Sequence, residues 1–243
     1  MNDRTVLFTA NAGFFVTVSG VTFAVDAFPQ KADRGFCALS EEHFQQLCQS
    51  PDPVHYVIAT HDHNDHYHKD WNEQFLNNHP RARFIGAVGD DQVPKTSHCQ
   101  AEPSILLRSP SPTYYLPKIT FEFLRLAHEG AEYANVDNYG CLVTIGSCRI
   151  LFLGDAKPAD PAIAQWIGGC SIDLALLNFP WIALPKGRQF IQERLPHTRI
   201  GVIHLPYEDS DRNHYVDAAR NAVSRFDTHE VTLFTRFGQE MAF

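Results

Sequence analysis

The sequence predicts an α/β protein built from two mixed β-sheets with helices packed outside them. Two observations carry this prediction. The first part of the chain is rich in strand patterns and then alternates between strand and helix patterns, and the second part repeats that order. Such an order fits two sheets that face each other. No linker, low-complexity tract or short repeat interrupts it, so we expect residues 1–243 to form a single domain.

In the first half of the chain, segments rich in β-branched and aromatic residues are separated by glycines and polar stretches. The first three strands predict an antiparallel meander that ends at Asp26, and Ser40 is a candidate N-cap. The predicted strands are Thr5 to Thr9, Phe14 to Ser19, Val21 to Val25, Val54 to Thr60, Phe84 to Val88 and a weak one at Ser104 to Arg108, and the predicted helices are Ser40 to Cys48 and Lys69 to Asn78. The rest of residues 89–118 predicts loop and turn.

The second half of the chain returns to strands and then alternates with helices. The predicted strands are Ile119 to Leu126, Tyr139 to Ile145, Arg149 to Leu153, Leu174 to Leu177, Ile200 to Ile203 and one that begins at Val231. The predicted helices are Pro161 to Ile167, Arg188 to Leu195 and Tyr215 to Arg225. Short apolar strands bounded by turn residues are typical of strands buried within a sheet.

The composition limits the classes of partner. The chain has 20 basic and 28 acidic residues, a formal net charge of −8, which disfavours nucleic acid because such affinity comes mainly from Lys and Arg on phosphates. No apolar run approaches the ~20 residues that span a bilayer, and the N-terminal residues lack a signal-peptide pattern. We therefore expect a cytoplasmic protein that acts on a small molecule away from membranes. Assembly into a homo-oligomer is compatible with the sequence.

The cysteines give no support to a thiolate metal site. There are six of them, and no two have the CxxC spacing that is common in zinc sites. They are Cys37, Cys48, Cys99, Cys141, Cys148 and Cys170. We expect reduced thiols, several of them buried as small apolar side chains.

The main functional signal is a cluster of histidines and aspartates directly after a short apolar strand. His61-x-His63-x-Asp65-His66 places three imidazoles and a carboxylate within six residues. Because side chains alternate in an extended segment, His61 and His63 should face the same way. Asp65 and His66 lie where the chain turns toward a helix. Imidazole and carboxylate together suit Zn²⁺, Fe or Mn²⁺, so the segment predicts ligands for two neighbouring metal ions.

Three more candidate ligands lie at the ends of predicted strands. His128 follows one apolar strand, Asp155 follows another in Leu153-Gly154-Asp155, and His204 follows a third. Strand ends are places where a rigid scaffold presents functional groups. A single His at a strand end is more often a polar residue with ordinary partners, and Gly-Asp is often only a turn. Their order after the histidine cluster favours the ligand interpretation.

Taken in chain order, these motifs resemble those of the metallo-β-lactamase superfamily. The family pattern is an Asp at a strand end, HxHxDH, His, Asp and His. All five parts are present, at Asp26, the His61–His66 segment, His128, Asp155 and His204, so the match spans nearly the whole chain. The resemblance implies a four-layer αββα sandwich with its site at one edge of the two sheets. It also implies that Asp26 supports the site without binding metal.

The resemblance further implies a site for two divalent metal ions. The implied ligands are His61, His63 and His128 for the first ion, Asp65, His66 and His204 for the second, and Asp155 as a bridge between them. Such ions, ~3.5–4 Å apart, lower the pKa of a shared water from about 15.7 toward ~7, so that hydroxide is available at neutral pH. Asp65 would then act as the catalytic proton acceptor. We expect zinc, with manganese and iron as alternatives.

Weaker signals concern the branch of the family and the substrate. Thr60-His61-Asp62-His63-Asn64-Asp65-His66 and Asn138-Tyr139-Gly140 resemble the small bacterial branch that includes ascorbate-phosphate lactonases. Four residues in loops after the ligand strands are candidates for substrate binding, namely Trp181, Lys186, Arg188 and Tyr207. Lys186 or Arg188 would bind an anionic group, and Trp181 or Tyr207 would line the pocket. The alternatives are that the two cations are solvated surface charges and that Trp181 packs in the core.

The function expected from these observations is metal-dependent hydrolysis of a small-molecule ester, lactone, amide or phosphodiester. Three alternatives stay open at this point. One is nuclease activity on RNA or DNA, a second is oxygen chemistry at a single iron, as in relatives that resemble persulfide dioxygenases, and a third is a metal-binding scaffold without turnover.

Overall fold

The protein contains two seven-stranded sheets, here called sheet I and sheet II. The computed structural model describes residues 4–31, 35–96, 104–226 and 229–243. The strands of sheet I are β1 (Arg4–Phe8), β2 (Phe14–Val18), β3 (Val21–Val25), β4 (Tyr56–Ala59), β5 (Arg83–Gly86), β6 (Ile105–Leu106) and β14 (Glu240–Ala242). The strands of sheet II are β7 (Thr113–Leu116), β8 (Ile119–Leu126), β9 (Asn138–Ile145), β10 (Cys148–Phe152), β11 (Leu174–Asn178), β12 (Arg199–Ile203) and β13 (Val231–Leu233).

Each sheet combines an antiparallel half with a parallel half. Sheet I has the order β14-β1-β2-β3-β4-β5-β6, antiparallel as far as β3 and parallel from β3 to β6. Sheet II has the order β13-β12-β11-β10-β9-β8-β7, with parallel pairing from β10 to β13 and antiparallel pairing from β7 to β10. The predicted meander of the first three strands is confirmed.

The main apolar core lies between the two sheets. Phe14 of β2 contacts Phe152 of β10 with ring centroids 5.9 Å apart, and Phe23 of β3 contacts Phe121 of β8 at 6.0 Å. All four rings are almost completely buried. One continuous cluster of buried side chains includes residues of both sheets, so the inner faces of sheets I and II pack on each other directly.

Helices cover the outer faces of both sheets. Helices α1 (Glu41–Cys48) and α2 (Lys69–Asn78) pack on sheet I in a second buried cluster, in which Phe44 stacks on Trp71 at 4.3 Å. Helices α3 (Pro161–Ile167), α4 (Pro180–Ala183), α5 (Pro185–Arg194) and α6 (Tyr215–Val223) contribute to a third cluster on sheet II. The four layers are therefore helix, sheet, sheet, helix, and the predicted αββα sandwich is confirmed.

Three short elements differ from the sequence predictions. Thr113–Leu116 was expected to be loop and turn but forms edge strand β7, which pairs with β8 after a turn in which Lys118 has φ 67°. Helix α4 was not predicted, because four residues are too few to show a helical period. The C-terminal strand β14 was also missed, since it is defined only by its pairing with β1.

The strands deliver the candidate ligands to one edge of the sandwich. β3 and β4 run parallel in sheet I, and β8, β10, β11 and β12 all run in one direction in sheet II. Asp26, His128, Asp155 and His204 each follow the carboxyl end of one of these strands. Asp26 (φ 45°) and His204 (φ 59°) adopt the left-handed region, which Asp and His tolerate better than most side chains. These bends turn the chain sharply at the strand ends.

The expectations for the cysteines and for membrane segments can be compared with the described residues. Cys37, Cys48, Cys141, Cys148 and Cys170 are free thiols, and Cys99 lies outside the described residues. No helix within the described ranges is long and apolar enough to cross a membrane. The assignment of residues 1–243 to one domain stays a prediction.

The aromatic contact between the loop after β3 and helix α2 should contribute strongly to stability. Phe28 is almost fully buried and packs against Phe75 of α2, with ring centroids 4.4 Å apart. We expect Phe28→Ala to lower the free energy of unfolding by about 3–5 kcal/mol, because it leaves a cavity in a close-packed core. Urea denaturation would measure the change. Tyr115→Ala, at a side chain that is 82% exposed, should change stability by less than about 0.5 kcal/mol; equal losses would contradict this assignment.

Candidate metal centre

The histidine cluster occupies a tight turn between β4 and α2. The backbone N–H groups of His66 and Tyr67 both donate to the carbonyl oxygen of His63, at 2.9 and 2.8 Å. This turn separates His61 and His63, which precede it, from Asp65 and His66, which lie within it. The side chains of the first pair converge, since His61 Nε2 lies 3.1 Å from His63 Nδ1.

One group of potential ligand atoms combines this segment with the end of β8. His61, His63 and His128 each offer an imidazole nitrogen, and these nitrogens lie within 4.8 Å of one another. His128 Nδ1 donates to the carbonyl oxygen of Glu129 at 2.7 Å. Its Nε2 therefore carries the lone pair, and this buried atom makes no hydrogen bond within the described part of the protein. Three imidazole nitrogens this close together form a group that could hold a metal ion.

A second group lies beside the first and is joined to it by Asp155. Asp65, His66 and His204 offer ligand atoms that also lie within 4.8 Å of one another. Asp155 Oδ2 is 3.3 Å from His66 Nε2, 3.2 Å from His204 Nε2 and 3.6 Å from His128 Nε2. One carboxylate oxygen is thus in contact with residues of both groups, which is the position that a bridging ligand needs.

Asp26 supports the site through hydrogen bonds. Its Oδ1 accepts from the Thr60 backbone N–H at 2.8 Å, and its Oδ2 accepts from Thr60 Oγ1 at 2.6 Å and from His66 Nδ1 at 2.9 Å. Asp26, His61 and His66 also lie close enough to form a metal-like group. Because these bonds already use both carboxylate oxygens, we assign Asp26 to support.

These bonds determine which imidazole nitrogen faces the centre. His66 Nδ1 carries a proton, because its partner is the Asp26 carboxylate. Thr60 Oγ1 donates to Asp26 and therefore accepts from His61 Nδ1, which lies 3.0 Å away. In both rings Nε2 is left to face the other ligands. Such outer partners commonly fix the tautomer of a metal-binding histidine.

Two imidazoles of the first group, those of His61 and His63, are held in the neutral form. Burial lowers the pKa of His61 well below its ordinary value, and the neighbouring His66 lowers it further. Burial and the nearby His128 also lower the pKa of His63. Neutral imidazole is the form that binds metal, so His61 and His63 do not have to change from a charged form before they bind an ion.

In the metal-free protein, the two histidines of the second group favour the protonated form. Burial opposes a charge on His204, but the carboxylate of Asp155 more than offsets it and raises the pKa of His204 to about 9. The pKa of His66 is raised for the same reason. In turn, although burial alone would raise the pKa values of Asp65 and Asp155, the two imidazoles hold both well below the ordinary value.

Several residues that hold the ligands were not identified from the sequence. Asn11 Nδ2 donates to the backbone oxygen of Asp65 at 2.9 Å and to its Oδ2 at 3.2 Å, and the Asn11 backbone oxygen accepts from His204 N at 2.7 Å. Asn138 Oδ1 accepts from Asp155 N at 2.9 Å. Asn178 Nδ2 donates to Asp155 Oδ1 at 3.2 Å. The position of Asn138 and Asn178 at strand ends is the signal that could have indicated them.

Gly154 allows the edges of the two sheets to approach each other at the centre. It adopts φ 53°, and a Cβ at this position would lie 2.3 Å from Asn138 Oδ1 and 2.9 Å from Thr60 Oγ1. The Tyr139 backbone N–H donates to the Thr60 carbonyl oxygen at 3.0 Å and so links the sheets directly. A side chain at position 154 would separate Asp155 from the histidine segment.

The candidate centre opens into a cleft of about 310 Å³. His63, Asp65, His128, Asp155 and His204 form part of its lining, with Phe36, Tyr133, Phe179, Glu129 and Asn178 around them. Tyr133 contacts His63 and His128 with ring centroids 5.0 and 4.7 Å apart, and Phe36 contacts His204 at 4.4 Å. A cavity of about 390 Å³ lies elsewhere, over β1 and β2 beside α1, and none of the candidate ligands lines it.

Comparison with known proteins supports the fold assignment. No protein-family model matches the chain, and no curated protein matches it significantly. An isothiocyanate hydrolase from Delia radicum gut bacteria is similar in structure, with a TM-score of 0.67 and 15% identity over 98% of both chains. The metallo-β-lactamase fold protein YhfI from Bacillus subtilis has a TM-score of 0.67 and 15% identity over 98% of this chain and 99% of its own.

The chain has the metallo-β-lactamase fold. The diiron β-hydroxylase CmlA from Streptomyces venezuelae is also similar, with a TM-score of 0.58 and 17% identity over 100% of this chain and 55% of its own. At these identities the likeness establishes the metallo-β-lactamase fold and not a shared activity. The resemblance to the lactonase branch stays a prediction.

Within this fold, the four substrate-binding candidates lie away from the cleft lining. Trp181 is fully buried in α4 and packs edge-on against Phe190 of α5, which is the core packing that the sequence left as the alternative to a place in the pocket. Arg188 Nη1 donates to the carbonyl oxygens of Ile182 and Ala183, at 2.9 and 2.5 Å, where α4 ends.

The remaining two candidates, Lys186 and Tyr207, also lie outside the cleft lining. Lys186 is exposed on α5 and is not part of the cleft lining. The Tyr207 hydroxyl donates to the Thr9 carbonyl oxygen at 2.6 Å, so it ties the segment after β12 to the end of β1. A gripping role for Lys186 or Arg188 is therefore not supported by their positions.

Removing the charge of Asp26 should weaken metal binding while leaving all candidate ligands in place. We expect Asp26→Asn to reduce affinity for Zn²⁺ by about 10–100-fold, since His66 loses the partner that fixes its tautomer. Competition with a chelator would measure the affinity, and thermal denaturation of the metal-free protein would separate it from stability. Asp173→Asn is a matched control, because Asp173 accepts from Arg149 N away from the cleft. Unchanged affinity in Asp26→Asn would contradict the supporting role.

The two halves of the centre should bind metal with different dependence on pH. His204, with a pKa of about 9, is protonated at pH 7 in the metal-free protein, so a second ion must displace its proton. Affinity at this site should rise about tenfold per pH unit for each proton displaced, up to about pH 9. The site of His61 and His63 should depend less on pH between 6.5 and 9. Zinc titrations across this range would check it, and parallel changes at both sites would count against it.

Proposed function

We propose that the protein is a metal-dependent hydrolase that uses two divalent cations to activate water against a small molecule. One observation carries the proposal: Asp155 Oδ2 lies within 3.6 Å of imidazole nitrogens from three separate segments of the chain. Candidate reactive groups of the substrate are an ester, a lactone, an amide and a phosphodiester. Zinc is the proposed metal, and the ligand types also suit manganese and iron.

The donor atoms fit such cations. Nε2 of His66, His128 and His204 are all buried, and within the described residues they make no well-formed hydrogen bond although each lies 3.2–3.6 Å from Asp155 Oδ2. Leaving buried polar atoms without partners is destabilising. Asp26, Asp65 and Asp155 are buried too, and no Lys or Arg among the described residues forms an ion pair with them. Cations at this position would satisfy the nitrogens and neutralise the carboxylates.

The proposed division of ligands follows the two groups. His61, His63 and His128 would hold one cation, Asp65, His66 and His204 would hold the other, and Asp155 would bridge them. When bound, the pair supplies Lewis acidity that lowers the pKa of a shared water and polarises the oxygen of a scissile bond. The chain's own contribution is to fix the ligand atoms before substrate arrives, through Asp26, Asn138 and Asn178.

Asp65 is the proposed proton acceptor. Its Oδ2 lines the cleft side of the second group, 3.5 Å from His204 Nε2, and Asn11 Nδ2 fixes it at 3.2 Å. The neighbouring imidazoles hold its pKa below the ordinary value in the metal-free protein, so the carboxylate is ionised at neutral pH. A carboxylate held beside the attacking water can take its proton as the bond to substrate forms.

Oxygen chemistry at iron is the second candidate function. The observation that favours it is the likeness to CmlA, a diiron β-hydroxylase, together with ligands that iron accepts. Nuclease activity is less well supported, since the described residues that line the cleft include neither Lys nor Arg. Metal analysis of protein produced without added metal distinguishes the hydrolase from the iron-dependent enzyme. Bound iron together with oxygen consumption would overturn the zinc hydrolase proposal.

A hydrolysis screen tests the proposal directly. Metal-depleted protein reloaded with Zn²⁺ or Mn²⁺ should hydrolyse at least one member of a panel of lactones, thioesters, amides and phosphodiesters. We expect Asp155→Ala to reduce kcat/KM by at least about 100-fold, because even supporting groups around a metal site contribute 10–100-fold.

Asp52→Ala provides the control for the loss of one carboxylate. Asp52 is exposed in the loop before β4, and its replacement should leave turnover unchanged. No turnover of any panel member with either metal, or equal rates for Asp155→Ala and the unchanged protein, would overturn the hydrolase proposal.

A further inference from the structure

The walls of the cleft offer hydrogen-bond acceptors in buried positions. Two side chains carry this observation, Asn178 at the end of β11 and Glu129 directly after His128. Each has a buried oxygen that makes no hydrogen bond within the described part of the chain. The described residues that line the cleft include neither Lys nor Arg, so no side-chain cation of that lining balances the Glu129 carboxylate.

The orientation of the Asn178 amide follows from its neighbour. Its NH₂ group lies 3.2 Å from Asp155 Oδ1, a carboxylate oxygen that can only accept. The opposite orientation would place two acceptors in contact, so Oδ1 is the atom without a partner. Asn178 is only 3% exposed, and burial makes an unsatisfied carbonyl oxygen costly. A donor from a bound molecule would satisfy it.

Glu129 is held in position by its backbone. Its N–H donates to the Asp155 carbonyl oxygen at 2.8 Å, and its own carbonyl oxygen accepts from His128 Nδ1 at 2.7 Å. The side chain is half-buried, and its Oε2 is buried without a hydrogen-bond partner among the described residues. Removal of such an oxygen from water favours a bound donor that carries N–H groups.

Aromatic side chains line the same cleft on both sides of the metal centre. Phe36 stacks on Tyr215 of α6 with ring centroids 5.6 Å apart, and Phe179 contacts Tyr215 at 6.1 Å. Tyr133 lies on the other side, against His63 and His128. Aromatic faces favour an apolar or cationic neighbour.

We infer that the cleft recognises a small substrate bearing an N–H donor, either an ammonium or an amide group, and that Glu129 and Asn178 select for it over an anionic group. This inference rests on the proposed function and deepens it by naming the substrate class. It also replaces the sequence expectation of an anionic substrate held by Lys186 or Arg188. Glu129 is a specificity-determining residue in this scheme, separate from the ligands that hold metal.

Three aromatic hydroxamates that differ only in one substituent on the ring test the inference. The hydroxamate group anchors each compound to the zinc-loaded protein, and the ring carries aminomethyl, methyl or carboxyl in the para or meta position. We expect the aminomethyl compound to bind at least about tenfold more tightly than the carboxyl compound, measured by calorimetry. In Glu129→Gln this ratio should fall about tenfold, while affinity for the methyl compound is retained.

Glu41→Gln is the matched control for loss of one negative charge, since Glu41 is exposed on α1. It should keep the full preference for aminomethyl. Equal or tighter binding of the carboxyl compound to the unchanged protein would overturn the inference, as would an unaltered ratio in a folded Glu129→Gln variant. Failure of all three compounds to bind would overturn both the metal centre and the inference. Binding with the expected preference but without hydrolysis of any panel substrate would overturn only the proposed function.

Discussion

The position of one carboxylate oxygen organises the whole candidate centre. Asp155 Oδ2 contacts imidazoles that come from the turn before α2, from the end of β8 and from the end of β12. A buried carboxylate is tolerated only when charge and hydrogen bonds compensate for its loss of water. His66 and His204 provide that compensation in the metal-free protein by holding protons. Every other feature of the site either delivers these side chains or fixes their orientation.

The fold brings these side chains together with little further loss of conformational freedom. Parallel strands of both sheets end at the same edge, and the bends at Asp26, Gly154 and His204 turn the chain there. Neutral groups then fix the ligands: Asn138 binds the Asp155 backbone, and Thr60 connects Asp26 to His61. Because ligand atoms are oriented before metal or substrate binds, little reorganisation is needed at that stage.

The sequence predicted what is local and missed what depends on distant contacts. The HxHxDH spacing and the Asp and His residues after apolar strands are visible in short windows, and the family resemblance that they carry implied the convergence of seven side chains. Asn11 lies 54 residues before Asp65 and shows no pattern that links the two. Trp181 was placed in the pocket because it follows β11 closely, but α4 turns back over sheet II and buries it. Proximity along the chain was a poor guide to the cleft walls.

The difference between the two halves of the centre follows from where the carboxylates lie. Burial, and after it the neighbouring imidazoles, lower the pKa values of His61 and His63 and so disfavour a proton on either ring. His204 faces Asp65 and Asp155, which favour one. In the absence of metal, protons on His66 and His204 therefore occupy the electrostatic role that a second cation would take over. A divalent cation at that position carries the same charge as the two protons that it replaces, so it can balance Asp65 and Asp155 to the same extent while it binds their oxygens directly.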